Sequence, residues 1–179
     1  MRKVYNIIMK EIKNKEFFQV DTISLAEKLI GKWIVTRIDG KERKAQIYET
    51  EAYLGVDDSA CHTYKGKRTA RVEPMWQEGG TIYVYLCYGM HHLLNIVSEK
   101  EGVPEAVLIR AVEGAEGPAK TTKLLGIEKS FNGQSIVNNP KICIMDDEER
   151  YKYAKKERVG IGYALEKDQK ALLRFVIEK

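Results

Sequence analysis

The sequence has few of the residues that mark secreted or linker-rich proteins. It carries three cysteines in 179 residues, an odd number that cannot all pair within one chain, and none forms a Cys-x-x-Cys motif. Because disulfides persist mainly in oxidising compartments, this predicts a reduced, intracellular protein. Only four prolines and 14 glycines are present, which argues against a collagenous or linker-rich chain.

Targeting segments are also lacking. The N-terminus has basic residues but no continuous apolar core, so the sequence predicts no secretory signal and a cytoplasmic protein, nucleoid-associated if prokaryotic. One 20-residue stretch, residues 79–98, has no formally charged residue, yet it contains tyrosine, histidine and asparagine. Spanning a bilayer would place these polar groups in lipid, so two buried strands around a turn are predicted instead of a membrane segment.

Several catalytic motifs are missing. The chain has no Gly-x-Ser-x-Gly, no glycine-rich phosphate loop and no His-Glu-x-x-His. Four residues could in principle ligate zinc, although their spacing matches no usual zinc finger: Cys61, His62, Cys87 and His91. We therefore predict no metal and no cofactor, with a zinc protein kept as an alternative.

The composition that remains is that of a globular protein. Hydrophobic residues make up 44% of the chain and charged residues 31%. A chain of this length fits one domain, so we expect a single domain over 1–179 in which 1–20 form an N-terminal helix or extension. The formal net charge of +4 permits an anionic partner without proving one.

Hairpin signals outnumber β-α-β alternation along the chain. They predict an α+β fold, a single domain with a curved, mainly antiparallel sheet and surrounding helices. Helices are predicted over residues 4–12, from a cap at Asp21 or Thr22 to about residue 30, and from Pro118 to Leu125. Strands are predicted at 32–38, 43–53, 82–88, 93–98, 106–112, 141–145, 159–163 and 173–177.

Strand alternation gives the first indication of a site. In a strand, Glu49, Glu51 and Tyr53 project from one face, and Thr50 and Ala52 from the other. A carboxylate beside an aromatic ring suits a general base next to a stacking platform. Alternation alone leaves open an exposed acidic face that happens to carry one tyrosine.

A second aromatic group follows in the segment TIYVYLCYGMHHLLN. Tyr83, Tyr85 and Cys87 share a strand face, and Gly89 is expected to break the strand and release Tyr88 from the alternation. Tyrosines are amphipathic, so this set could equally be core with hydroxyls at its rim.

A basic segment lies between these two groups, with no acidic residue between Thr63 and Arg71. Such a segment is usually a solvated surface. Beside an aromatic cluster it becomes a candidate patch for DNA phosphates, because cations set affinity for the nucleic-acid backbone. Its basic side chains are Lys65, Lys67, Arg68 and Arg71.

Taken together, these segments resemble the alkyladenine (3-methyladenine) DNA glycosylase family. The similarity runs in order from about residue 21 to near the C-terminus. The matching segments are ETEAYLG (49–55), a histidine at position 62, GTIYVYLCYGMHHLLNIVS (80–98), VLIRAVEG (107–114), GPAK (117–120), KSF (129–131), RVGIGYA (158–164) and LRF (173–175). Where the family usually reads Thr-Pro-Arg-Asn after the basic segment, this chain reads Thr-Ala-Arg-Val and ends on Val72.

The resemblance implies a single mixed α/β domain that removes damaged purines from DNA without metal or cofactor. It implies that Glu51 activates the attacking water and that Arg110 lies near the phosphate and that water. We find no lysine motif for a Schiff base, so monofunctional hydrolysis that leaves an abasic site is expected. The predicted partner is duplex DNA containing damaged purines, bound by a monomer.

The resemblance also implies how the substrate is held. Tyr53, His62 and Tyr85 would be the walls that stack on a flipped purine, and Tyr88 would insert into the duplex where that nucleotide leaves the stack. Asn95 would limit access of purines that carry guanine's exocyclic amino group. The alternative is a non-catalytic nucleic-acid-binding module on the same fold.

Overall fold

One curled antiparallel sheet organises the protein. The computed structural model describes residues 8–178, and elements are numbered in chain order. The strands are β1 (Lys10–Glu11), β2 (Trp33–Ile38), β3 (Lys41–Tyr53), β4 (Ile82–Cys87), β5 (His91–Val97), β6 (Ala106–Val112), β7 (Ile142–Asp146), β8 (Tyr153–Lys156) and β9 (Arg174–Ile177). The helices are α1 (Thr22–Leu29), α2 (Pro118–Leu125) and α3 (Glu166–Gln169). The predicted α+β class is confirmed.

The strand order is β1-β7-β2-β3-β6-β5-β4, and β9 joins β3 to β8. The long strand β3 connects the two halves of the sheet. Its residues 41–46 pair with β2 and its residues 47–53 with β6, and residues 49–51 also pair with β9. The β2–β3 turn is the predicted Asp39-Gly40 pair, and both residues have positive φ, as a tight hairpin turn requires.

Helices α1 and α2 pack against the sheet. The Asp21 side chain accepts a hydrogen bond from the Ser24 amide at 2.9 Å and so caps α1, as its sequence predicts. The hydroxyl of Thr50 on β3 donates to the Ala26 carbonyl of α1 at 2.9 Å, which ties helix to strand. The main core between these layers includes Phe18, Leu94, Ile109 and Phe175 among its fully buried side chains.

A smaller apolar cluster lies between the loop that follows β3 and strands β4 to β6. Cys61, Val72, Met75 and Tyr83 are buried in it. Val72 thus holds the basic segment by an apolar contact at the position where the family usually has asparagine. This cluster forms the floor on which the candidate site is built.

Two predicted elements are wrong. The predicted helix over residues 4–12 is the first. Lys10 and Glu11 form a strand instead, because the edge of β7 offers hydrogen bonds that a short helix would not make. Val4 and Ile7, which suggested that helix, lie outside the described residues. The predicted strand 159–163 is an irregular segment, since Gly160 has a φ of +77° and breaks the extended backbone.

Besides β1, strand β8 was not predicted. β8 pairs with β9 but carries two exposed lysines, Lys155 and Lys156, and shows no clean apolar alternation. Within residues 8–178, no helix has the length and apolarity needed to cross a membrane.

Candidate active site

The carboxylate of Glu51 is buried at the end of the long strand β3, with 1% of the residue exposed. One carboxylate oxygen accepts the Tyr53 hydroxyl at 2.8 Å, and the other accepts the Val159 amide at 2.9 Å. The Nε atom of Arg110 lies 3.3 Å from the second oxygen. Burial raises the pKa of Glu51, and these hydrogen bonds and the positive charge of Arg110 oppose that rise.

Arg110 on β6 is shared between two carboxylates. Its Nη1 atom donates to Glu49 at 3.0 Å, while its Nε faces Glu51. Arg174 on β9 also contacts Glu49, at 3.4 Å. Glu49 therefore serves as the partner of two arginines, and Glu51 remains as the carboxylate that faces Tyr53.

An aromatic pocket opens beside the Glu51–Tyr53 pair and contains about 330 Å³ of empty space, part of it open to solvent. The rings of Tyr83 and Tyr85 have centroids 5.5 Å apart on the same face of β4, as the alternation predicts. The rings of His62 and Tyr85 meet edge to face at 4.6 Å. The other lining residues are Tyr53, Ala60, Cys61, Met75, Asn95, Ala106 and Tyr163.

The imidazole of His62 is uncharged in this pocket. Burial lowers its pKa to about 4, and the positive charges of Arg71 and Lys67 act in the same direction. Its Nδ1 atom shares a hydrogen bond of 2.9 Å with the Tyr83 hydroxyl. A neutral ring can stack on a cationic base without repelling it.

Asn95 lies in the pocket wall on β5, directly opposite Tyr83 in the sheet register. It is 5% exposed, and its side-chain amide donates to the Tyr83 carbonyl at 3.2 Å. The amide therefore has a hydrogen-bond partner in the sheet and also borders the space that a base would enter.

Tyr88 stands at the tip of the β4–β5 hairpin with 91% of its surface exposed. Its φ of +51° is uncommon for a residue with a side chain, and Gly89 follows at +68°. This turn releases Tyr88 from the strand alternation, as Gly89 led us to expect. An exposed ring at a hairpin tip has the shape of a wedge.

The basic segment borders this side of the molecule, and all four of its predicted cations are exposed. They are not equivalent. Arg68 forms two hydrogen bonds with Glu73, at 2.6 and 3.0 Å, so its charge is already paired. Arg71 lies 5.8 Å from the ring centroid of Tyr85 and contacts the Leu86 carbonyl, which places its charge beside the pocket.

The zinc alternative finds no support in the geometry. Cys61 is buried with its thiol 3.2 Å from the Thr63 hydroxyl, and Cys87 pairs with His91 across the hairpin register. Across residues 8–178, no three histidine, cysteine, aspartate or glutamate side chains come together in a way that could hold a metal ion.

The structure adds residues to which sequence reasoning gave no role. Val159 supplies an amide to Glu51, and Tyr163 lines the pocket while its hydroxyl donates to the Ala60 carbonyl at 2.8 Å. Arg158 is buried against Asp58 behind Tyr53. The segment RVGIGYA was among the matching motifs, and that match was the available signal, but its interpretation as a strand hid these contacts.

Comparison with known proteins identifies the family. The family model for methylpurine-DNA glycosylase matches residues 16–117 and 113–179. A protein of Borreliella afzelii is 40% identical over 177 residues, covering 92% of this chain and 95% of its own. One of Natranaerobius thermophilus is 40% identical over 185 residues (90% and 93%), and one of Clostridium perfringens 37% over 194 (92% and 94%).

All three relatives carry the name "Putative 3-methyladenine DNA glycosylase". A family match over both halves of the chain and identity near 40% over nine-tenths of it agree with the pocket and its buried carboxylate. The chain belongs to the methylpurine-DNA glycosylase family and is a DNA glycosylase, a hydrolase.

Proposed function

We propose that the protein is a monofunctional glycosylase that hydrolyses the N-glycosidic bond of alkylated or otherwise damaged purines flipped out of duplex DNA, leaving an abasic site. The observation that carries this proposal is the buried Glu51 carboxylate, hydrogen-bonded to Tyr53 at the edge of an aromatic pocket. A carboxylate in this place can act on the sugar of a nucleotide whose base occupies the pocket.

The pocket suits an electron-poor base. N-alkylated purines are often cationic, and aromatic faces attract cations through their quadrupole. Tyr53, Tyr85 and the neutral His62 supply such faces without adding positive charge of their own. Selection for damage thus follows from stacking and cation–π attraction.

Glu51 can serve the bond-breaking step in two ways. Cleavage of the glycosidic bond develops positive charge on the sugar, and an anionic carboxylate stabilises that charge. An ionised carboxylate has about four acceptor positions, of which Tyr53 and Val159 use two, so it can also orient and deprotonate a water molecule. Arg110 favours the ionised form by its positive charge.

Reaching the bond requires the nucleotide to leave the stack, which costs a few kcal/mol. In this proposal Tyr88, which is exposed at the hairpin tip, fills the gap from the minor-groove side, where side-chain wedges unstack base steps. The exposed cations Lys65, Lys67 and Arg71 follow His62 in the chain, and in this proposal they contact phosphates. We propose that Arg68 adds to this contact once Glu73 releases it.

The decisive experiment measures free base released from duplexes that each carry one defined lesion, including methylated, deaminated and etheno-purines. Glu51→Gln keeps the volume of the side chain and removes its charge, so base release should fall at least about 100-fold while damaged-duplex binding survives. Loss of binding together with release would contradict the assignment of Glu51 as the base.

Glu49→Gln is the matched control. It lies on the same strand face, and its amide oxygen can still accept the Arg110 hydrogen bond. Its loss of activity should be at most about tenfold, below the range typical of a lost general base. If Glu49→Gln were the inactive variant and Glu51→Gln the active one, the base would be Glu49.

We propose that the working unit is a monomer. Sedimentation velocity with and without a lesion-containing duplex tests this, since a two-to-one complex would contradict it.

A further inference from the structure

A buried ion pair lies behind the candidate site. The guanidinium of Arg158 donates two hydrogen bonds to the Asp58 carboxylate, from Nη1 to Oδ2 at 2.5 Å and from Nη2 to Oδ1 at 2.9 Å. The two side chains are 0% and 3% exposed. Nη1 also donates to the Ala52 carbonyl on β3 at 3.0 Å. Arginine thus makes a bidentate contact that lysine could not reproduce.

On one side this pair organises the loop that leads to His62. The carboxylate of Asp58 accepts the amides of Leu54 and Ala60, each at 3.0 Å. The Asp58 carbonyl accepts the Cys61 amide at 2.9 Å. The turn that presents His62 to the pocket is therefore built around Asp58.

On the other side the pair reaches the partners of Glu51. The Arg158 guanidinium lies 4.8 Å from the ring centroid of Tyr53, whose hydroxyl donates to Glu51. The next residue, Val159, donates its amide to the other oxygen of Glu51. Both hydrogen bonds that hold the carboxylate therefore come from groups in contact with Arg158 or bonded to it.

Stability alone does not account for a pair in this place. A buried ion pair is often no more stabilising than a well-packed apolar pair of similar volume, because both charges lose their hydration. Here the pair joins three of the parts of the chain that build the site: β3, the loop before His62 and the segment after β8.

We propose that Arg158, held by Asp58, is a positioning residue for the reaction: it orients the Tyr53 ring and the Val159 amide toward Glu51 and supplies a buried positive charge that favours the ionised carboxylate. The proposal rests on the proposed function of Glu51. It assigns Arg158 no contact with the substrate.

Several charged or titratable groups face Glu51, and each enters the interpretation of a pH profile. Those outside the proposed pair come from four strands and one loop: Glu49 and Tyr53 of β3, Tyr85 of β4, Arg110 of β6, Arg174 of β9 through Glu49, and Tyr163. Burial raises the pKa of Glu51, and the charges of Arg110 and Arg158 act against it. Loss of the Arg158 charge should therefore raise that pKa further.

The test compares single-turnover base release between pH 4 and 8 for the unaltered protein, Arg158→Lys, and the double variant Asp58→Asn/Arg158→Met. The double variant removes both charges at similar volume, so no uncompensated buried charge is left to unfold the protein. A general base acts when ionised, so the rate rises with pH as Glu51 ionises.

In the double variant the acidic limb of the profile should move to higher pH, because Glu51 loses the Arg158 charge that favours its ionised form, and the plateau should fall. Arg158→Lys retains the positive charge and loses the bidentate contact with Asp58. Its plateau should fall at least about tenfold while its acidic limb stays in place. A limb unmoved in the double variant would overturn the proposal.

A distant, partly buried ion pair provides the control. Lys32 and Asp146 lie 2.6 Å apart, with side chains 7% and 27% exposed. Lys32→Met/Asp146→Asn should change the melting temperature without moving the limb. A limb displaced equally in this control would mean that any lost ion pair produces the effect, which would also overturn the proposal.

A titration without substrate separates this proposal from the proposed function. The ¹³C chemical shift of the Glu51 carboxyl, assigned with Glu51→Gln, should report a higher pKa in the double variant than in the unaltered protein. An unchanged pKa would overturn the Arg158 proposal. An unaltered protein that releases no base from any duplex would contradict the proposed function, and the titration would still decide the role of Arg158.

Discussion

The hydroxyl of Tyr83 and the Nδ1 atom of His62 lie 2.9 Å apart, joining the floor of the pocket to its wall. The two rings are nearly perpendicular, with an interplanar angle of 89°. The contact occupies Nδ1, and burial favours the neutral ring. The wall that would stack on a cationic purine is therefore held in one orientation and one charge state.

This gives a prediction for stability against pH. The pKa of His62 is about 4 in the folded protein and about 6.5 when unfolded, so the unfolded state binds more protons between these values. The stability that the neutral His62 contributes is full above about pH 6.5 and decreases as the pH falls towards 4. With allowance for partial exposure, His62→Gln should remove roughly 1–2 kcal/mol of this decrease, measured by denaturant unfolding.

His91→Gln, a histidine variant on the exposed hairpin, is the control and should leave the decrease in place. If His62→Gln followed the pH dependence of the unaltered protein, the imidazole would not be held neutral by the fold.

Tyr88→Ala should impair extrusion of the nucleotide more than bond cleavage. Unstacking a duplex costs a few kcal/mol, whereas a single-stranded lesion has little stacking to lose. The variant should therefore lose most activity on duplex DNA and least on a single strand that carries the same lesion. Leu86→Ala, a 39% exposed residue on the same hairpin, is the control. Equal losses on both substrates would mean that Tyr88 does not act as a wedge.

The basic segment should contribute to the salt dependence of DNA binding, and its members should differ. Each phosphate contact adds about 0.9 to the slope of log K against log salt concentration on duplex DNA. Lys67→Gln should flatten the slope by about that amount without changing lesion preference. Arg68→Gln should do less, since Glu73 already pairs that charge.

Glu73→Gln should steepen the slope by freeing Arg68. An unchanged slope in Lys67→Gln would mean that the segment is a solvated surface and no part of the DNA contact.

Asn95→Ser should change selectivity between purines. It opens space at the pocket wall, so release of guanine-type bases should rise relative to adenine-type bases. Asn132→Ser is the control. The Asn132 side chain accepts the Val84 amide of β4, the strand that Asn95 also contacts, but it does not line the pocket. A lower melting temperature with an unchanged ratio in Asn95→Ser would make Asn95 a structural amide only.

Strand alternation predicted the parts of the site that lie within one strand. It placed Glu51 with Tyr53 and Tyr83 with Tyr85, because every second residue of a strand faces the same side whatever the rest of the fold does. Gly89 alone predicted that the chain turns at this point and that Tyr88 leaves the strand alternation.

Strand alternation could not predict contacts between segments that are distant in the sequence. Asp58 and Arg158 are 100 positions apart, and neither has a local pattern that points to the other. The pairing of Arg68 with Glu73 was also missed, although the two are only five positions apart, because the short helical turns of that segment have no repeating pattern. Shape and charge pairing in irregular segments depend on the packing beneath them.

Strand β3 is bonded on both edges at residues 49–51, to β6 on one side and to β9 on the other. Amide hydrogens in such a doubly flanked stretch exchange with solvent only when the sheet itself opens, whereas a hairpin tip such as residues 88–90 exchanges through local opening. Deuterium uptake should therefore be slow around Glu51 and fast around Tyr88. If Tyr88 is the proposed wedge, it can adapt to the shape of a duplex by local opening while the Glu51 carboxylate keeps its position.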